Sequence, residues 1–575
     1  MLDLKIVNGT IVNGSGGEPY AGAVGIRGGR IVAVGKVEDE ARRTIDAEGK
    51  VIAPGFIDSH THYDAQAFWD PTFSPSCFHG VTTVVGGFCG FSIAPLTPDA
   101  GKYLLPMLAR VEGMPAVTLE AGVPWDWSSF GEYLDRLEGR VLLNAGFFVG
   151  HSAVRRIVMG ERANRDEATA EEIEAMKTLV NASLSEGALG FSTTVSPSHN
   201  DATGNPVPSR FAAREELLEL ARQVRNHPGT SLELLPNIME WGDDQIDLLV
   251  DFSLAGGRTV NWNVLVVQGA DEGDRARAFD QLRAGQVARD RGAEVIALTF
   301  ASAPSIRVNF VSGFVLDSIK GWAPLFRLPL AERLAFLRDP ASRATLLDPA
   351  RPTLGASAFG RYRVVEGFTP ETRQFEGKLV EDIAREQGKS AFEALIDIVV
   401  ADELKTSLML DASGEDAETY RLRAELWHDD LTVVGASDAG AHMDMIDTFA
   451  FSTLLLGNAR EYGVMTLPEA VRQLTSVPAR VLGITDRGML QPGMHADVVI
   501  FDPETVARGP VYTRYDLPGT DSEGRLYAEA VGVDYVIVNG TVAVDHNVVT
   551  DERPGTVMRS GRDTYTRDIP ALAAA

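Results

Sequence analysis

The chain has 575 residues, 45% of them hydrophobic and 23% charged, with 53 basic against 80 acidic side chains and a formal charge of −27 at pH 7. That length accommodates two to four domains, or one large barrel with additions, and the apolar share is enough for a large core. Nucleic acid and anionic membrane are not expected partners, since neutralising phosphates takes clustered Lys and Arg, although a local site can still oppose the global charge.

The N-terminal Met1-Leu2-Asp3-Leu4-Lys5-Ile6 reads as a strand. It lacks a basic stretch followed by a long apolar core, so no secretory signal is expected. No run of eighteen apolar residues predicts a membrane span. Cys77 and Cys89, the two cysteines, do not suggest a disulfide framework. The expected compartment is the cytoplasm. Short strands are predicted at Leu4–Val7, Thr10–Val12, Ala23–Arg27 and Arg30–Val34, punctuated by the turn dipeptides Asn8-Gly9, Asn13-Gly14 and Gly28-Gly29.

From about 55 to 480 the texture changes. Buried-strand candidates lie near Gly55–His60 and at Thr82–Val85, Leu142–Val149, Ala188–Thr193, Ser231–Leu235, Thr259–Val264, Glu294–Thr299 and Leu431–Ala436. Amphipathic segments such as Ala170–Ser185, Arg214–Arg225 and Arg275–Arg291 alternate with them. Eight such units make an α/β fold and favour a (β/α)8 TIM-like barrel over an open doubly wound sheet. The stretch from about 307 to 430 is too long for one loop and predicts a helical insertion before the last barrel strand. Within it, Phe310–Leu337 is rich in Phe and Leu and contains Trp322, which suits a lid, a subunit contact or core helices.

Strand signals return near the C-terminus, at Ala496–Asp502 and in a hairpin over Tyr535–Val542 that turns at Asn539-Gly540. The two β-rich ends are expected to form one small composite β-sandwich domain; two unrelated terminal hairpins are the alternative. The predicted organisation is residues 1–54 as the first part of the sandwich, 55–480 as the barrel with its insertion, and 481–575 as the second part, ending in an Ala-rich tail from Ala571 to Ala575.

The sharpest chemical feature is Ala53-Pro54-Gly55-Phe56-Ile57-Asp58-Ser59-His60-Thr61-His62, an apolar strand ending in His-x-His. Residues i and i+2 of a strand point the same way, so His60 and His62 can aim two imidazoles at one point. In a (β/α)8 barrel the C-terminal strand ends build the active site, and imidazole suits several divalent transition metals.

With its preceding Pro-Gly-Phe-Ile-Asp, this segment resembles the first-strand signature of the amidohydrolase superfamily. Ser437-Asp438-Ala439-Gly440, after an apolar strand, resembles the superfamily's eighth-strand aspartate, which implies that Asp438 ligates metal and shuttles protons. Gly488-Met489-Leu490-Gln491-Pro492-Gly493-Met494-His495-Ala496-Asp497 resembles the point where the chain re-enters the flanking sheet domain. Within the superfamily, Val84-Val85-Gly86-Gly87-Phe88-Cys89-Gly90-Phe91-Ser92, Gly150-His151-Ser152-Ala153-Val154-Arg155 and Gly187-Ala188-Leu189-Gly190-Phe191-Ser192-Thr193 resemble segments of the N-acyl-D-amino-acid deacylase (D-aminoacylase) family. That likeness implies Cys89 as a metal ligand and no carboxylated lysine on strand 4.

The same likeness implies a metal-binding histidine on strand 5 and another on strand 6, and this chain has neither. Strand 5 reads Thr230-Ser231-Leu232-Glu233-Leu234-Leu235-Pro236 and strand 6 reads Thr259-Val260-Asn261-Trp262-Asn263-Val264-Leu265. Glu233 is either a carboxylate ligand or an arginine partner. Asn263 is a neutral oxygen donor, much weaker toward transition metals than imidazole. Cys89 is either a thiolate ligand or a buried thiol lining the barrel. One ion held by His60, His62 and Asp438 is the simplest centre, three protein ligands leaving an open position. One or two divalent ions per subunit, zinc in the first instance, are expected. His151, Arg155 and His442 are candidates for contact with substrate, and Arg155 or Arg307 can offer a fork to a substrate carboxylate.

The resemblance implies a hydrolase of carbon–nitrogen bonds other than peptide bonds, acting on a small-molecule amide such as an N-acyl-D-amino acid through a metal-activated water, and it implies a homo-oligomer. Asp438 would take the proton from the attacking water and pass it to the departing nitrogen. Two other readings stay open: a superfamily hydrolase of a cyclic amide, lactone or other carbonyl compound, and a metal-depleted binding protein.

Overall fold

A computed structural model of the chain describes residues 1–238, 240–347, 357–410 and 414–569. The Ala-rich tail lies outside the described residues. Among the described residues, eight parallel strands close into a ring. Phe56–Asp58, Val81–Gly86 and Asn144–Phe147 pair in that order. The third strand resumes at Val149–Gly150 and continues the ring through Gly190–Thr194, Ser231–Leu235, Val260–Leu265, Val295–Thr299 and Thr432–Val434. Closure comes where Ala436–Ala439, the continuation of the eighth strand, pairs parallel with His60–Thr61, the continuation of the first. We number these barrel strands 1 to 8. Each falls within two residues of its predicted position, because a strand buried on both faces is a short apolar run that local sequence exposes directly.

Helices separate the strands. Ala170–Ser185 begins in a capping box between Thr169 and Glu172, which satisfies two orphan amides and sets the helix start. Arg214–Val224 and Asp243–Gly256 follow strands 4 and 5, and Glu272–Asp290, capped by the Asp271 carboxylate, follows strand 6.

The chain ends share one nine-stranded sheet among the described residues. Its order runs Val548–Val549, Thr541–Asp545, Val533–Val538, Val498–Phe501, Val51–Pro54, Leu2–Ile11, Tyr20–Arg27, Arg30–Gly35, with Ala41–Asp46 branching from Leu2–Ile11. The join between the two ends is the antiparallel pairing of Val498–Phe501 with Val51–Pro54. One prediction is corrected here. Asn8-Gly9 does not turn the chain; Leu2–Ile11 is a single strand whose register shifts between Ile6 and Gly9. Asn8 takes a left-handed φ of 57° at this shift, and Gly9 leaves room for Ile52, whose Cδ1 would lie 2.4 Å from a side chain there.

The insertion is corrected as well. It is not purely helical: Arg307–Val308, Tyr362–Glu366 and Ser407–Leu410 form a three-stranded antiparallel sheet. Helices such as Leu330–Arg338 and Ala391–Ala401 pack with it around a separate core. Phe310, Trp322, Leu325 and Leu337 are buried in that core, which is the core-helix reading of those side chains, while Phe314 and Phe326 of the same segment line a cavity. No described helix is long and apolar enough to cross a membrane.

Candidate metal centre

Strand 1 ends by delivering His60 and His62 to the interior of the barrel mouth, each only 3% exposed. Their ring centroids are 5.3 Å apart, and the His60 ring stacks on Phe88 at 4.5 Å. Strand 8 brings Asp438 to the same point. Its Oδ1 lies 3.4 Å from His60 Nε2 and 3.1 Å from His62 Nε2. Asp438 adopts a left-handed φ of 55°, and hydrogen bonds on either side hold that turn. Ser437 Oγ donates to the His60 carbonyl at 3.1 Å and accepts from the Ala439 amide, while the His62 amide donates to the Ala439 carbonyl. With 29% of its side chain open, Asp438 is far more accessible than either imidazole.

Cys89 completes the cluster after strand 2. Its Sγ is 3.8 Å from His60 Nε2, and donor atoms of His60, His62 and Cys89 all fall within 4.8 Å of one another. The cysteine sits at φ 55° in a loop fixed from three sides. Its amide donates to Glu233 Oε2 at 2.9 Å, the Gly90 amide donates to Ser192 Oγ, and the Gly87 amide donates to Asp64 Oδ2.

Glu233 and Asn263, neighbours across strands 5 and 6, lie against this loop. Asn263 Nδ2 donates to Glu233 Oε1 at 2.5 Å and approaches Cys89 Sγ at 3.5 Å. Among the described residues Glu233 thus has no arginine partner; its oxygens brace a backbone amide and a neighbouring side chain.

Two acidic residues were not predicted. Glu112, the C-cap of the helix Pro98–Val111, turns inward so that its Oε2 is 3.5 Å from His62 Nε2. Its one local signal is a carboxylate at a helix C-terminus, which the helix dipole disfavours. Asp64 follows His62 into the next helix and holds the glycine turn before Cys89. A Cβ at Gly86 would meet its Oδ2 at 2.8 Å.

The electrostatics are those of an anionic nest. Burial pushes the Glu112 carboxyl up to about 7 and the Asp64 carboxyl up to about 6, and it raises the Cys89 thiol and the Glu233 carboxyl well above their usual ranges. Burial alone would lower the His62 pKa, but the carboxylates of Glu112 and Asp438 raise it to about 10. Burial likewise opposes the charge on Asp438, yet hydrogen bonds from His60 and His62 hold its carboxyl well below the carboxylate range. The carboxyls of Glu112, Asp64 and Asp438 and the Cys89 thiol around two imidazoles are a donor set that a divalent cation satisfies better than protons do. The residues present therefore fit a divalent metal.

The proposed substrate contacts fare differently. His151 and Arg155 are fully enclosed. His151 Nε2 lies 2.8 Å from Glu216 Oε1 and its Nδ1 lies 2.9 Å from Thr193 Oγ1. Arg155 Nη1 donates to both Glu216 oxygens, and Nη2 donates to the Asp166 carbonyl. Both assignments are corrected: this arginine neutralises a buried carboxylate and offers no fork to substrate. Arg307 is also engaged, with Nη2 donating to the Val511 carbonyl at 3.1 Å. His442 stays beside the centre. Its amide donates to the Glu112 carbonyl at 2.5 Å, and its ring packs at 5.1 Å from Phe314.

Phe314 lines a cavity of about 480 Å³ walled also by Gly113, Met114, Phe326, Met443 and Tyr515. A small recess at Asp438 also has Met443 in its lining, so this side chain stands between the centre and that cavity. Lys405, packed 4.9 Å over the Tyr515 ring, and Arg327 lie on the same wall.

A family model described as the amidohydrolase family matches residues 43–544. D-aminoacylase of Alcaligenes xylosoxydans xylosoxydans is 28% identical over 571 residues, covering 97% of each chain. A solved D-aminoacylase with a binuclear metal centre is similar at 27% identity and a TM-score of 0.64, covering 97% of this chain and 100% of the other. N-acyl-D-glutamate deacylase from Bordetella bronchiseptica, solved with zinc and a phosphonate mimic of the tetrahedral intermediate, matches at 25% identity with the same TM-score and coverage.

Proposed function

The chain belongs to the amidohydrolase family, and from that premise we propose that it hydrolyses the amide bond of a small N-acyl amino acid with a divalent metal held at the mouth of its barrel. The family places it among hydrolases of carbon–nitrogen bonds other than peptide bonds. The observation that carries the reading is the meeting of His60, His62 and Cys89 donor atoms with the Asp438 carboxylate at one point.

His60, His62 and Cys89 would hold the ion, with Asp438 on its open side, and zinc suits this mixed nitrogen, sulfur and oxygen set. A bound divalent ion supplies a Lewis acid that lowers the pKa of water from ~15.7 to about 7 and polarises a carbonyl. The rest is the work of side chains. Asp438 starts ionised and accessible, so it can accept the proton of the attacking water and return it to the departing nitrogen. Lys405 and Arg327 supply positive charge on the cavity wall for a substrate carboxylate.

We read residues 1–54 and 481–575 as two parts of one β-sandwich domain flanking a barrel of 55–480. The branching of Leu2–Ile11 between Ala41–Asp46 and Val51–Pro54 supports this, as does the separate core of Ile6, Ile26, Ile52, Val498 and Ile537.

The test is purified protein, metal analysis and a panel of N-acyl-D- and N-acyl-L-amino acids beside cyclic amides. Turnover of a linear N-acyl amino acid with metal bound is expected. Asp438→Asn should cut kcat by at least ~10²-fold, measured on metal-replete variant whose circular dichroism matches the wild type. Near-normal turnover of that variant would refute its role, and hydrolysis of cyclic amides alone would refute the substrate class.

A further inference from the structure

We infer that this centre takes a single divalent ion, because the Glu233–Asn263 pair occupies the far side of Cys89 as a hydrogen-bonded brace instead of offering a second metal position. The inference rests on the metal reading above and concerns how many ions the site accepts.

Among the described residues, the one group of three or more His, Cys, Asp or Glu residues with mutually close donor atoms is His60, His62 and Cys89. Asp438 joins it through contacts to both imidazoles, and Glu112 approaches it through His62. All of these lie on the histidine side of the thiol. A second ion sharing the Cys89 sulfur would have to lie on its other side, where the nearest groups are Glu233 and Asn263.

Neither is arranged as a ligand. Both Glu233 oxygens already accept hydrogen bonds, Oε2 from the Cys89 amide at 2.9 Å and Oε1 from Asn263 Nδ2 at 2.5 Å. The same Nδ2 points at Cys89 Sγ from 3.5 Å. Amide hydrogens carry positive partial charge, so the direction in which they point is one from which a cation is repelled. In this orientation Asn263 Nδ2 serves Glu233 Oε1 and Cys89 Sγ together, two acceptors that the amide oxygen could not serve as a donor. Among the described residues the remaining Asn263 Oδ1 has no hydrogen-bond partner, but one neutral oxygen is a weak ligand for a transition metal. The centre thereby departs from that of the related D-aminoacylase, which is binuclear.

The brace has a second consequence. Cys89 sits at a left-handed φ of 55°, and the Glu233 carboxylate is the acceptor of its amide. Glu233 is therefore a positioning residue: it aims the Cys89 sulfur at the imidazoles without touching the ion. Partners of this kind outside the ligand set commonly tune metal affinity by about 10–100-fold.

The experiment reads metal directly. Metal-free protein is titrated with Zn2+ and, separately, with Co2+. Bound metal is counted by mass spectrometry after desalting, and the Co2+ form is scanned for thiolate-to-metal charge-transfer absorption. One equivalent per chain with a thiolate band is the expected result. Two equivalents would overturn the inference and leave the metal reading standing, whereas no tight binding would overturn the metal reading itself. Glu233→Gln keeps the shape but cannot accept from both donors with the same strength. It should still take one Co2+, with ~10–100-fold weaker affinity and a shifted thiolate band. Unchanged affinity and spectrum in a folded Glu233→Gln protein would remove the positioning role.

Discussion

A buried polar side chain must find partners within its own enclosure, and His79 shows what that does to a titration. It is fully enclosed, with Nδ1 2.8 Å from Thr453 Oγ1 and Nε2 3.1 Å from the Ala528 carbonyl. Burial lowers its pKa to about 3, although the Ala528 carbonyl opposes the shift. The unfolded chain takes up this proton near 6.5 and the folded chain only near 3, so the unfolded state binds more protons in between. Stability present above pH 6.5 is therefore lost as pH falls toward 3, by up to ~1.4 kcal/mol per pH unit from this group. Urea unfolding from pH 7 to pH 5 should show a steeper acid loss in the wild type than in His79→Gln; parallel curves would take His79 out of the account. Legibility at this scale followed reach along the chain. His60 and His62 sit two residues apart on one strand, so strand geometry alone brings them together. Asp438 was legible only through its resemblance to a known motif. Glu112 was not legible at all, since it meets His62 across a helix end whose direction no local pattern reveals.

At the scale of elements, periodicity located every barrel strand, and the errors fell where packing overruled a local signal. Asn-Gly ordinarily marks a turn. At Asn8-Gly9 the neighbouring strand Val51–Pro54 instead needs the space that glycine leaves, and the chain runs straight on with a register shift. Gly9→Ala should therefore destabilise the protein by ~1–3 kcal/mol through overpacking against Ile52. Thermal unfolding would measure it, and an unchanged midpoint would show that the strand yields freely. The insertion misled for a related reason. Its strands Arg307–Val308, Tyr362–Glu366 and Ser407–Leu410 are short and far apart in sequence, so none announces a partner. Arg155 was misassigned because an arginine in a motif near the site looks available for substrate. The charge balance of that closed space is set by Glu216, an element away on the helix Arg214–Val224.

At the scale of the whole molecule, the terminal sheet and the barrel are joined by a buried polar knot around Asp497. Its carboxylate accepts from Arg487 Nη1, from Asn144 Nδ2 at 3.1 Å and from the Asn539 amide at 2.8 Å, so barrel strand 3 and the terminal hairpin turn meet on one side chain. Asp497→Ala would leave the Arg487 guanidinium buried without its counter-charge. A loss of ~3–5 kcal/mol is expected by urea unfolding, and a loss below about 1 kcal/mol would mean that the two parts are held by apolar contacts alone. From its residues, the chain by itself determined the strand and helix alternation, the β-rich ends, and the pair of imidazoles on the first strand. Each of these depends on neighbours within a few positions, where backbone geometry is the same in any fold. Only the tertiary structure decided which carboxylates surround those imidazoles, that Glu233 braces a loop, and that Arg155 is enclosed. Those outcomes depend on distances between segments tens to hundreds of residues apart, and only chain closure into a barrel sets them.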